Sequence, residues 1–443
     1  MDSIESQTSS GLSVNRREFL EGLSIGAIAT TGLANAGALT SGNEVHAAEN
    51  QPPSNADAIA TSTARILVGA PVLQCPAADG MSVVWQVSGN ATGWVEYGTT
   101  KELGQVVRPG GYGLNSMDSP VLSARLEGLP TAATIYYRVA AAPIDFQNAY
   151  KVVRGETEYS EIYEFRLPDP DAKSFRWCVI NDTHEVDQTL SATLGKVEER
   201  QAELMVWNGD IFNDVRSEKQ LVNQTLQPAG RAYATTRPVM FVSGNHDVRG
   251  VLARRLEECM LSRPDNSPLG RCFSLRCGPV ALIGLDTGED KPDSHPVYAG
   301  LAQFEPYREA QGAWLAKVLT QPEIASAPYL VVHCHIPLFG NRRKDAVEGQ
   351  LEFARFCEQG QKFWLPHLEK AKAQLVISGH THKHRFMPAE SGQVMAQLIG
   401  GSPNLPLATV ILGEATSERL QVTALQMDGQ TLGTWTFPPR NPA

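Results

Sequence analysis

From Phe175 onward the chain reads as short, unbroken apolar runs, and this limits its fold more than any other feature. The runs are FRWCVI (Phe175–Ile180), LMVWNGD (Leu204–Asp210), PVMFVSGNHD (Pro238–Asp247), ALIGLDTG (Ala281–Gly288), YLVVHCHIP (Tyr329–Pro337) and LVISGHTH (Leu375–His382). Short apolar runs with little alternation suit strands covered on both faces. Helical patterns lie between them: Leu190, Leu194 and Val197 at i, i+4 and i+7, then QGAWLAKVL (Gln311–Leu319) and QLEFARFCEQ (Gln350–Gln359). The alternation predicts an α/β fold with a largely covered sheet. Ligands of such sheets bind beyond the carboxyl ends of the strands, and the polar residues of these runs cluster at those ends.

At 443 residues, two folded domains are expected. The segment 65–168 has a β texture: SVVWQV (Ser82–Val87), GWVEYG (Gly93–Gly98), VLSARLEGL (Val121–Leu129), ATIYYRVAA (Ala133–Ala141) and EIYEFRLP (Glu161–Pro168). Leu129-Pro130, Thr134 and Tyr136 look like a tyrosine corner, and the whole resembles a small all-β fibronectin type III module. DPDA (Asp169–Ala172) separates it from a second domain over 172–443.

The first residues look like an address. NRREFL (Asn15–Leu20), followed by a mildly apolar Gly/Ala-rich stretch, resembles a twin-arginine export signal, although Glu21 stands where a basic residue is common. Cleavage after Ala36 or Ala47 is possible. The second is favoured, because NQPPSNAD (Asn50–Asp57) reads as a linker; this gives a signal over 1–47 and a linker over 48–64. The apolar stretch carries Gly22, Gly26 and Gly32 and is too short for a stable membrane span in the mature chain. The signal implies a bacterial protein handled by the twin-arginine translocase and delivered to the periplasm or outside. Folding before export implies that the fold does not depend on disulfides, so most of the seven cysteines are expected to be buried and inert. A Cys272–Cys277 bridge is the pairing left open.

Five groups close the apolar runs: Asp182-Thr183-His184, Gly209-Asp210, Gly244-Asn245-His246-Asp247, His335-Ile336-Pro337 and Gly379-His380-Thr381-His382. Each alone is an ordinary polar loop. In this order and context they resemble the motifs of the calcineurin-like metallophosphoesterases: D-x-H, G-D, G-N-H-[DE], H before proline, and G-H-x-H. The resemblance covers roughly 175–386 and implies a metallophosphoesterase β-sandwich flanked by helices. It implies that Asp182, His184 and His382 hold one divalent metal, that Asn245, His335 and His380 hold another, and that Asp210 bridges them. His246 would act as general acid or transition-state donor, oriented by Asp247 or Asp214. His333 is read as buried or as a partner behind the ligands, His384 as a loop residue or outer partner, and Asp286 as structural.

Carboxylate and imidazole donors suit manganese, iron or zinc. Paired metals can clamp both oxygens of an in-line displacement and turn water into a hydroxide nucleophile. Two divalent ions against two aspartates and one hydroxide leave a single positive charge, which attracts phosphate. An aspartate at 245 would cancel it. Glycines 209, 244 and 379 are expected to permit sharp turns.

The two-domain layout resembles purple acid phosphatases. Those enzymes, however, carry glycine at the position of His184 and a tyrosine at the position of Asn213, so no purple ferric centre is implied. The expected function is hydrolysis of phosphate mono- or diesters of a small phosphorylated substrate. Arg249, Arg342, Arg343 and Lys344 are candidate phosphate-binding groups, and 289–306 reads as an insertion near the mouth. Two alternatives are a nuclease or nucleotide phosphodiesterase, and a non-catalytic binding protein on the same fold. A net charge of −10 offers no broad basic face, and no nucleic-acid partner is expected.

Overall fold

The computed structural model describes residues 65–117, 119–261, 269–340, 351–390 and 393–440, without the side chains of 351–355. The export-signal reading falls on residues outside this set, as do Arg342, Arg343 and Lys344. Residues 63–443 form one compact unit. No helix among the described residues is long and apolar enough to cross a membrane.

Two large sheets face each other. The first runs Thr431–Phe437, Leu420–Gln426, Thr409–Thr416, Ser174–Ile180, Leu204–Asn208, Val239–Val242, Leu67–Gln74, Met81–Val87, Val121–Leu126. The second runs Phe273–Cys277, Val280–Leu285, Tyr329–Cys334, Leu375–Ser378, Ala396–Ile399, Arg385–Met387. The predicted α/β strands form the middle of both and pair in parallel: Leu204–Asn208 lies between Ser174–Ile180 and Val239–Val242, and Tyr329–Cys334 between Val280–Leu285 and Leu375–Ser378. Every residue of LMVWN is buried, as both-face coverage requires.

The layer between the sheets is apolar, with Trp177, Val206, Met240, Leu282, Val331 and Ile377 among its residues. Outside the first sheet lies the helix Asp187–Glu199, which buries Leu190, Leu194 and Val197 as its periodicity predicts. Outside the second, the helices Phe304–Val318 and Leu351–Phe363 cover Ile283, Val332 and Val376. Such closely packed layers leave polar groups one region to converge, the ends of the central strands.

The N-terminal β layers join this frame. A third sheet is built around Ala91–Gly98 and Ile135–Asn148. It packs its apolar face, including Val95 and Val139, on Val83 and Trp85 of the first sheet. The first sheet is continuous across the two halves, because Leu67–Gln74 pairs in parallel with Val239–Val242 at Gln74 and Val239. Buried Gln74 secures the join: its amide donates to Cys259 O at 2.8 Å, and its carbonyl accepts from Leu261 N at 2.7 Å. The buried tyrosine of this region is Tyr137, whose hydroxyl donates to Thr235 O at 2.8 Å. Tyr136, the tyrosine-corner candidate, is half-buried beneath Lys101 instead. All seven cysteines are buried and none is in a disulfide, so the Cys272–Cys277 bridge does not form.

Candidate metal centre

Each closing motif turns sharply at the end of its strand, and the turns rest on backbone bonds between loops. Asp182 N donates to Gly209 O at 3.0 Å, His184 N to Asp210 O at 3.0 Å and Gly379 N to His335 O at 2.9 Å. Asp182, His184, Asp210, His380 and His382 all have positive φ, between 44° and 71°. For non-glycine residues this costs about 1–3 kcal/mol each and marks sites where surrounding structure over-determines the backbone.

The glycines act in two ways. Gly209 is itself left-handed at φ 90°, as the expected turn requires. Gly244 and Gly379 are not left-handed; they are needed for space. A Cβ on Gly244 would lie 2.2 Å from Asp210 Oδ1, and one on Gly379 2.3 Å from Asp182 Oδ2. Gly401, which the motifs do not include, is left-handed and presses on the same Asp182 oxygen, 2.5 Å from a Cβ.

The expected ligands converge. Atoms able to bind metal on Asp182, His184, Asp210 and His382 lie within 4.8 Å of one another, as do those on Asp210, His335 and His380. Asp210 belongs to both groups. Asn245 joins the second, its Oδ1 2.8 Å from His380 Nδ1. Asp182, His184, Asp210, Asn245 and His335 are buried, while His380 and His382 are half-buried toward the mouth.

The donor set fits divalent cations. His335 Nδ1 donates to Asn208 O at 2.8 Å, so in the neutral ring Nε2 carries a lone pair, and it faces Asp210 Oδ2 at 3.1 Å. His184 Nε2 and His382 Nε2 stand 3.0 Å apart. At this distance the two rings share either one proton or a cation between their facing nitrogens. Burial lowers the pKa of His335, but Asp210 outweighs burial and pushes it up to about 10. A divalent cation meets the same demand with the imidazole neutral, and carboxylate, imidazole and amide oxygen suit manganese, iron or zinc.

His246 sits beside this cluster, its ring edge-on to His184 at 4.9 Å. Its backbone N–H donates to Asp210 Oδ1 at 2.9 Å, and its Nδ1 lies 2.7 Å from Asn213 O. Neither Asp247 nor Asp214 orients the ring. Asp247 is buried and accepts from the backbone N–H groups of Asp210, Ile211, Phe212 and Gly244 at 2.8–3.3 Å. It therefore ties the loop carrying Asp210 to the loop carrying Asn245. Asp214 pairs with Arg216 at 3.1 Å. The orienting group is the carbonyl of Asn213, while the Asn213 amide turns away to His184 O and Glu185.

Arg249 lies 3.0 Å through Nη1 from His246 Nε2. Buried Glu289 holds its guanidinium through both oxygens, and Asp290 adds a contact at 3.2 Å. Sequence reasoning missed Glu289 and the two strand-end asparagines. Asn181 Nδ2 donates to Ser378 O at 3.0 Å, and Asn208 Nδ2 to Ile377 O at 3.2 Å, joining the two sheets beneath the ligands. An amide closing a run of buried apolar residues just before a motif was a readable signal for both. The structural readings fit the surroundings of the remaining three residues. His333 is buried, and desolvation takes its pKa down to about 3. His384 packs on Trp435 at 5.9 Å, and Asp286 accepts from Gly288 N at 2.8 Å.

Residues 175–384 match the calcineurin-like phosphoesterase family. Among solved structures, the fold is similar to purple acid phosphatase PPD1 from yellow lupin (Lupinus luteus) seeds, with a TM-score of 0.61 and 15% identity over 83% of this chain and 74% of that one. It is also similar to PhoD, with a TM-score of 0.57 and 11% identity over 82% of this chain and 91% of that one. At these identities the likeness shows a shared fold. The chain thus carries a calcineurin-like metallophosphoesterase domain, with the Asp/His cluster at its strand ends as the candidate metal centre.

Proposed function

We propose that the protein is an exported, binuclear metal-dependent phosphoesterase acting on phosphate mono- or diesters of a small molecule. The observation that carries this reading is the sharing of Asp210 between two groups of convergent donors. Asp182, His184 and His382 would hold one cation and Asn245, His335 and His380 the other, with Asp210 between them. Bound manganese, iron or zinc ions would supply Lewis acidity and activate water.

The chain's own groups do the rest. With two carboxylates and a neutral amide in the set, the loaded centre keeps surplus positive charge for a phosphate. Asn213 O fixes the His246 tautomer, leaving Nε2 as the ring atom that moves a proton at the ester's leaving oxygen. Arg249, fixed by Glu289, presents a planar cation next to that nitrogen, suited to a phosphate oxygen.

The test is hydrolysis of a chromogenic phosphomonoester and phosphodiester by the mature chain with manganese, beside Asp210→Ala, with metal content measured on both. Turnover lost in Asp210→Ala, together with lowered metal content, is the expected result. Full activity in that variant would sink the mechanism. All the family's ligand positions are filled, which argues against a non-catalytic binding protein, and the net charge of −10 argues against a nuclease. The twin-arginine reading of residues 1–47 is tested by fractionation of cells carrying Arg16→Lys with Arg17→Lys. Precursor retained in the cytoplasm supports export by that translocase, and unchanged export refutes it.

A further inference from the structure

A cavity of about 610 Å³ opens beside the metal centre. Arg249 and Asn213 both line it, and both touch His246. Val248, Val297, Tyr298, Leu301 and Phe304 give it an apolar wall, mostly from the segment that follows Glu289. Asp214, Arg254, Glu289 and Lys291 also reach the lining. Val297 is 66% exposed and Leu301 71% exposed, so this wall keeps large apolar side chains in water. Scattered exposed apolar residues are ordinary, but a concave group of them beside a polar centre is what a ligand site looks like.

The wall is braced. Asp293 accepts from Phe304 N and Glu305 N at 2.9 Å each. Buried Arg308 donates to Thr287 O at 2.9 Å and to Glu289 O. Gly288 is left-handed, and a Cβ there would sit 2.2 Å from the Phe304 ring. The nearby charges pair among themselves, Arg249 with Glu289 and Lys291 with Asp290 at 2.7 Å. The wall from Val297 to Phe304 therefore presents hydrocarbon to whatever lies beyond the phosphate, with Arg254 as a further cation at the lining.

We infer that this cavity is the leaving-group subsite, and that it selects phosphoesters whose alcohol has an aryl- or alkyl-sized apolar body over those of compact polyols. The inference rests on the phosphoesterase reading for the identity of the group held at the metals. Its test therefore uses equilibrium binding, which needs no turnover. The manganese-loaded mature chain is titrated calorimetrically with 1-naphthylmethylphosphonate and with methylphosphonate. Variants are Leu301→Asp and Val297→Asp in the wall, with Val251→Asp, equally exposed but outside the lining, as control.

The naphthyl compound is expected to bind at least about tenfold tighter than the methyl compound, and each wall variant to lose about tenfold for the naphthyl compound alone. Equal affinity for the two compounds in the unmodified chain would overturn the inference. So would wall variants that weaken both compounds alike, or a control that matches them. Hydrolysis of 1-naphthyl phosphate is read separately. Tight naphthyl binding without turnover of 1-naphthyl phosphate or of the chromogenic phosphodiester would sink the phosphoesterase reading and leave the subsite standing. Turnover without naphthyl preference would do the reverse.

Discussion

Asp247→Asn tests whether the buried carboxylate behind the centre is what aligns its two main loops. In the structure Oδ2 accepts from Asp210 N and Gly244 N at 2.8 Å each, while Oδ1 accepts from Ile211 N at 2.9 Å and Phe212 N at 3.3 Å. Asparagine keeps one acceptor and turns an NH2 group toward the other pair of N–H donors, whichever way it is placed. A hydrogen bond to a charged group contributes about 1.5–3 kcal/mol, so losing two costs about 3–6 kcal/mol. One effect opposes this. Burial and then the Asp210 charge push the Asp247 carboxyl up to about 7, and a neutral amide removes that repulsion. A net loss of about 3 kcal/mol, at about 2 °C per kcal/mol for a large domain, lowers the melting midpoint by about 6 °C. Because Asp210 and Asn245 ride on the two loops, metal affinity should also fall, by about 10–100-fold. Calorimetry on the metal-free chain and chelator competition on the loaded one measure the two effects. A midpoint within about 1 °C of the unmodified chain, with unchanged metal affinity, would refute the role.

Gly244→Ala sets a methyl 2.2 Å from Asp210 Oδ1, and is expected to cut metal content and activity together; equal metal content would show the loop can give way. Chelation is expected to preserve far-UV dichroism and cooperative melting, because the loops are tied by backbone bonds, while lowering the midpoint through lost linkage; unfolding on chelation would show that the metals assemble the site. Glu96 is held by Trp94 at 2.9 Å and Arg138 at 2.8 Å; burial opposes, but these partners bring its pKa below the ordinary 4.5. Its stabilisation is thus full above that value and lost as pH falls through the lower folded one, so Glu96→Gln should destabilise at pH 6 and converge with the unmodified chain only once the pH has dropped below the folded value. Burial pushes the thiols of Cys178, Cys259, Cys334 and Cys357 up to about 12, so a thiol reagent should label essentially no native cysteine and all seven after denaturation; rapid native labelling would contradict the buried placement.

The central strands and their polar ends were legible because both signals are local. A covered strand needs an unbroken apolar run, and LMVWN supplies one. What escaped depends on distant partners. The pairing of Leu67–Gln74 with Val239–Val242 rests on one register position between segments far apart in sequence, and no local pattern encodes it. Tyr136 and Tyr137 are neighbours on one strand, so a one-residue error in facing exchanged a half-buried ring for the buried one. Asp247 follows the motif histidine and invited a role on its ring. Its burial against four backbone donors emerges only once the turns at Asp210 and Gly244 are folded together. Left-handed backbone at five candidate ligands is likewise invisible in the sequence, since aspartate and histidine do not announce it as glycine does.

Those left-handed residues explain how the centre keeps its lone pairs available. A ligand oxygen or nitrogen in a buried site must avoid being consumed by neighbouring donors, yet its side chain must be fixed. Here backbone groups do the fixing and leave one donor face of each side chain aimed inward. Asp210 gives Oδ1 to His246 N and turns Oδ2 to the histidines at 3.1 and 3.4 Å. His335 gives Nδ1 to Asn208 O and keeps Nε2 for the centre. Asp182 receives His380 N at 2.8 Å on the same oxygen that lies 3.4 Å from His382 Nε2. At Asp182 and Asp210 the arrangement needs a backbone bent back on itself with nothing in the way, hence their positive φ and the bare glycine at 244, 379 and 401. The strain is therefore part of the binding chemistry: it holds the donor atoms of Asp182, His184, Asp210, His380 and His382 close together before a cation arrives, so that binding does not have to order the chain.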